Sequence, residues 1–148
     1  MRMGRIFALV AGGLALCIAL LLLAVYVTRD EDNIQADNIL AENFTLAVAR
    51  AGREGTPLEL REVARFPWDR VLLVQAGTSR AEISRKLGRE WTGIDTVDGG
   101  DLLIFLRDDE VVRFADYRGN RQFAGFERPF DELPDTLRVE GAEIRAAG

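Results

Sequence analysis

Asp95, Asp98 and Asp101 stand three residues apart around Gly99 and Gly100, placing carboxylates in a loop flexible enough to wrap a hard cation. Ca²⁺ takes several oxygen ligands from such a loop, so this triplet is the metal-ligating candidate of the chain. The order of an EF-hand loop is missing, and Asp98-Gly99-Gly100 reads more simply as a turn between strands. Paired carboxylates for glycoside hydrolysis are available among 24 acidic residues, but no spacing selects a pair. The chain has no His, and Cys17 is its only Cys. That excludes Ser-His-Asp and Cys-His catalysis, a zinc site of the usual His/Cys kind and any intramolecular disulfide. No residue qualifies as catalytic and no cofactor is implied.

Recognition is the other chemistry the residue types allow. Trp68 and Trp91, the two tryptophans, each adjoin a structural junction. Buried packing is the plain expectation for both; the alternative is an aromatic anchor, partly exposed, in a groove for a partner. Asp69 either caps a turn or pairs with a nearby Arg, or it is presented beside Trp68 for recognition. Trp68, Asp69 and Trp91 are therefore the partner-binding candidates.

These residues hang from an N-terminal apolar run, Ile6 to Val27, with Arg2 and Arg5 before it. As a helix it would be about 33 Å long, enough for a hydrocarbon core of about 30 Å. Tyr26 suits the headgroup layer, and the basic residues before the span place the N-terminus in the cytoplasm and the bulk of the chain outside. A cleaved signal peptide would have a shorter core and a small-x-small site before the cut. The lipobox outline Leu14-Ala15-Leu16-Cys17 is spoiled by Leu16 and by the apolar run continuing past the Cys. The expectation is an uncleaved anchor. Removing Arg2 and Arg5 from totals of 19 basic and 24 acidic residues leaves residues 28–148 with a net charge of −7, which argues against nucleic acid as a partner. About 120 residues suffice for one domain and not for two.

The expected organisation is a cytoplasmic start and transmembrane anchor over 1–27, a polar tether over 28–43, and an extracytoplasmic α+β domain over 44–148. That domain should hold an antiparallel sheet and one or two short helices. Phe44, Leu46 and Val48 alternate with Thr45, Ala47 and Ala49, which suits a half-buried strand, with an Ala-rich helix as its rival. Thr56-Pro57-Leu58-Glu59 predicts a capping box and a short helix to about Ala64, ended by Phe66-Pro67. Val71 to Ala76 reads as a buried strand. Ser79-Arg80-Ala81-Glu82 predicts a second capped helix, with Ile83 and Leu87 on its apolar stripe and Gly88 as its left-handed cap. Asp101–Arg107 and Glu110–Asp116 predict a hairpin turning at Asp108-Asp109, pairing Arg107 with Glu110, Phe105 with Val112 and Leu103 with Phe114. Both faces of that hairpin are apolar, and one should lie under the Ser79 helix. A last strand is expected within Thr136 to Arg145.

Phe66-Pro67-Trp68-Asp69-Arg70-Val71, followed by Thr78-Ser79, Glu82-Ile83, Leu87-Gly88 and Trp91, resembles a family of small bacterial membrane-anchored or lipoprotein-like proteins of unknown function. The resemblance covers about residues 58 to 116; Val71 to Gly77 lacks the Tyr and Pro that the family often carries there. The order Gly77-Thr78, Glu82-Ile83, Leu87-Gly88 and then a hairpin is also similar to the helix-plus-meander pattern of envelope-assembly lipoproteins that share a fold with a β-lactamase inhibitor protein. That likeness implies a binding module rather than an enzyme. The functional expectation is thus a single-pass protein, anchored through residues 6–27, whose outer domain binds a protein partner or scaffolds an envelope assembly. The alternative is an extracytoplasmic enzyme or Ca²⁺ module using Asp95, Asp98 and Asp101.

Overall fold

The computed structural model describes residues 12–24, 36–93 and 98–148. Arg2, Arg5, Tyr26, the first part of the expected tether and Asp95 lie outside the described residues. Two compact units divide the chain, Met1–Asn33 and Ile34–Gly148. In the first, residues 12–24 are helical (α1). Among the described residues no helix is long and apolar enough to cross a membrane, and the expected span of residues 6–27 is described only over 12–24.

The second unit opens with α2 (Asn38–Glu54). Asp37 caps it by accepting from the Leu40 amide at 2.9 Å, and Gly55 closes it in the left-handed conformation at φ 64°, a geometry that costs glycine no Cβ strain. Leu40, Phe44, Val48 and Ala51 are its buried residues, a stripe at helical spacing. The strand expected at residues 44–48 is therefore corrected to helix. In a strand Leu46 would share a face with Phe44 and Val48, whereas here it is turned outward and 57 % exposed. The Ala-rich sequence favours the helix, and the apolar repeat continues back to Leu40, inside the stretch read as tether.

Thr56 does not form the expected capping box. Leu58–Glu59 is a short strand, β1, paired with Leu137 and Thr136, and it delays the helix α3 to Leu60–Val63. Thr136 donates its hydroxyl proton to the Glu59 carboxylate at 2.9 Å, so the side chain meant to cap the helix is engaged across strands. Four further strands and the helix α4 follow: β2 (Arg70–Val74), α4 (Arg80–Leu87), β3 (Asp101–Arg107), β4 (Glu110–Tyr117) and β5 (Gln122–Phe123). After them come β6 (Phe130–Glu132), β7 (Thr136–Glu140) and β8 (Glu143–Ala146). The capping box of α4 is present as read, and Gly88 ends that helix at φ 69°. The single last strand expected within residues 136–145 is in fact the β7–β8 hairpin.

The β3–β4 turn has positive φ at both Asp108 (51°) and Asp109 (62°), the two-residue geometry whose twist suits a hairpin. Arg107 pairs with Glu110, but a bulge between Leu106 and Phe105 then shifts the register. Phe105 meets Arg113 rather than Val112, and Leu103 meets Ala115 rather than Phe114. One extra residue on β4 moves every later pair.

The fold class is α+β with two four-stranded sheets, in the orders β4-β3-β2-β6 and β1-β7-β8-β5. Side chains alternate across the first sheet. Val71, Leu73, Leu103, Phe105 and Tyr117 join a core with α2 and the second sheet, including Phe44, Leu137 and Ile144. Leu72, Val74, Leu102, Ile104 and Phe114 face a second core with Ile83 of α4 and Trp91. The hairpin is thus apolar on both faces because each is covered, one of them by α4 as expected.

Candidate functional site

The helix α2 carries a second row beside its buried one. Ile39, Asn43, Leu46 and Arg50 recur at spacings of four, three and four and so share one face. Ile39 is 72 % and Leu46 57 % exposed, the large apolar side chains that the described second unit leaves to solvent. Facing them across an open groove of about 650 Å³ are Glu62, Val63, Arg65 and Phe66 from α3 and the segment after it, with Asp37 and Arg113 also in the lining. Pro67 limits Phe66 to extended backbone, and this half-buried ring meets Phe105 edge-on at 5.3 Å.

Charge in the groove is unevenly compensated. The Asp37 carboxylate is committed twice, through its cap bond to the Leu40 amide and through Oδ2 at 3.1 Å from Nη1 of Arg113. Arg113 also lies over the Phe66 ring, its Cζ 4.4 Å from the centroid, a cation–π contact that holds its charge against the groove wall. Arg65 donates from Nε to the Glu62 carbonyl at 3.0 Å, a bond that leaves its charge unneutralised. Arg50 and the Glu62 carboxylate have no ion-pair partner among the described residues. A smaller cavity adjoins this one, sharing Ala47, Arg50 and Glu62 and lined further on by Glu54, Pro57 and Glu59.

The residues singled out in the sequence lie elsewhere. Trp68 is 6 % exposed, donates from its indole N–H to the Ala64 carbonyl at 2.9 Å and meets Phe105 edge-on. Trp91 is fully buried against Phe114, with ring centroids 5.0 Å apart. They belong to the two different cores, on opposite faces of the first sheet, and both are buried, so they do not line one aromatic groove. Both carry bulk that the cores require. Asp69 accepts from the Asp108 amide at 2.7 Å while its own amide donates to the Leu106 carbonyl; it pins the hairpin turn.

Asp101 accepts from the Ala76 amide at 3.1 Å, and burial pushes its carboxyl above the usual range despite that bond. Asp98 is exposed, and among the described residues no group of three His, Cys, Asp or Glu could hold a metal ion. The groove escaped the sequence reading because a strand at 44–48 buries Leu46 beside Phe44. The signal that finds it is the repeat Ile39, Leu46, Arg50, legible only once the segment is taken as helix. Compared with known protein families, characterised proteins and solved structures, the chain has no significant match.

Proposed function

We propose that the chain is a single-pass, membrane-anchored protein whose domain outside the cytoplasm docks another protein in the groove between α2 and α3. The observation that carries this reading is the pairing of Ile39 and Leu46, exposed on one row of α2, with half-buried Val63 and Phe66 across a concave surface. Exposed apolar side chains scattered singly need no explanation, but a contiguous set around a groove with a charged rim is what a docking surface presents. Supporting the anchor, Leu14, Leu16, Ile18 and Leu20 to Leu23 are each between 49 % and 66 % exposed. A helix apolar all round suits lipid, and Arg2 and Arg5 orient it with the N-terminus inside. The net charge of −7 beyond the span favours a protein over nucleic acid.

The test uses the full chain in its membrane. Ile39→Asp and Leu46→Asp change solvated positions and should leave thermal unfolding of the domain nearly unchanged. Crosslinked partner recovered with the natural chain should be lost from the double variant. Recovery of the same partner at the same yield would show that the groove is not the docking surface.

A further inference from the structure

The walls of the groove say what kind of segment fits it, provided that the groove is the docking surface proposed above. We infer that its occupant is an amphipathic helix of a partner protein whose apolar stripe is flanked on both sides by carboxylates. Ile39 and Leu46 are two turns apart on one wall, and Val63 and Phe66 are three residues apart on the other. Such an array matches anchors at i, i+4 and i+7 of a docked helix. From Ile39 to Arg50 the groove follows α2 for about 17 Å, three turns of helix. Both walls come from helices and a turn; where the edge strand β4 reaches the lining at Arg113, the neighbouring Phe114 carbonyl already accepts from the Asp37 amide at 2.9 Å, so that stretch of ladder is taken against an extended peptide.

Charge selects among such helices. Arg50 projects from α2 and Arg65 from the opposite wall, each without a neutralising carboxylate, whereas Asp37 and Arg113 cancel one another. Within this lining Glu62 is the single uncompensated anion, with Glu54 and Glu59 lying beyond Arg50 in the adjoining cavity, so along the groove itself two positive charges to one negative face the occupant. They do so within a region whose net charge is −7. A helix bearing Asp or Glu on either side of its stripe meets a cation on each wall; one bearing Lys there meets two like charges, which steer it away.

A yeast-displayed library of three-turn helices tests this. Its stripe is fixed as Leu, its flanking positions are randomised over Glu, Lys and Gln, and it is selected on the full chain in phosphatidylcholine nanodiscs. The expected result is enrichment of Glu-flanked over Lys-flanked clones by at least tenfold, loss of their binding with Leu46→Asp, and reversal of the preference with Arg50→Glu plus Arg65→Glu. Enriched clones that need Leu46 but show no charge preference, or favour Lys, overturn the acidic helix and leave the groove standing. Clones indifferent to Leu46→Asp, or no enrichment at all, overturn both. A bimane at Leu46→Cys in a Cys17→Ala background, excluded from water only in phosphatidylglycerol discs and with no helix selected, would assign the face to lipid and overturn the proposal as well.

Discussion

Replacing Trp91 by Ala removes the largest side chain that the fold buries completely. It sits in the core formed by Ile83 of α4 and Leu102, Ile104, Leu106 and Phe114 of the hairpin. Truncating a buried Trp costs about 3–5 kcal/mol in lost burial and residual cavity. The edge-on contact with Phe114, itself worth about 0.5–1.5 kcal/mol beyond area, places this site in the upper half of that range. A domain of this size has a margin of about 5–15 kcal/mol, so the variant should fold at low temperature with Tm lowered by roughly 15–20 °C. Urea unfolding of Trp91→Ala can be followed by fluorescence of Trp68, the one tryptophan left, with far-ultraviolet circular dichroism as a second probe. Gly93→Ala should disturb the same core, because a Cβ there would run into the six-membered ring of the Trp91 indole. A loss under about 1 kcal/mol for Trp91→Ala would mean that the indole does not fill this core, and the packing of α4 on the hairpin would have to be redrawn.

At Gly88, where φ is +69° and a side chain would point into open space, Gly88→Val should cost on the order of 1 kcal/mol or more through backbone strain alone and Gly88→Asn distinctly less; equal chemical-denaturation midpoints would refute that. Asp37→Ala should lose about 1–2 kcal/mol, since it removes both a helix cap and an ion pair, while Asp37→Asn, which retains a capping oxygen, should lose less. For Asp101, burial raises the folded pKa above the unfolded value of about 4. The folded state then holds that proton more tightly, so this contribution is fully present below the unfolded pKa and lost as pH rises through the folded one. Asp101→Asn should flatten that limb of the stability–pH curve and be at least as stable as the natural chain at pH 7. A steeper curve would contradict the burial argument.

Features set by local chemistry were legible in the sequence. The capping box at Ser79, the left-handed Gly88 and the Asp108-Asp109 turn depend on residues within a few positions of one another, and all three stand where the residue types place them. The failures share a different cause. Phe44 to Val48 fits a period of two as well as it fits part of a helical stripe, and only Leu40 and Ala51, outside that window, decide between them. Thr56 lost its capping role because Glu59 is drawn to Thr136, 77 residues away. The hairpin register was read outward from its turn, and a bulge, which no residue type marks, displaced it. Trp68 and Trp91 look alike as junction aromatics, yet which core each fills follows from the face of the first sheet it lies against, a long-range property. The groove needed both α2 and the turn at Pro67 in place before its two walls could be seen.

Docking on the face of α2 that bears Leu46 is the proposal most directly open to measurement. A photoactivatable amino acid placed there, and at Glu140 on the exposed side of β7 as a control, tests it in the native membrane with the full chain. A discrete protein adduct is expected from position 46, absent from position 140 and lost when Ile39→Asp is added. Identical adducts from both positions, or none from position 46 while position 140 yields one, would contradict the proposal.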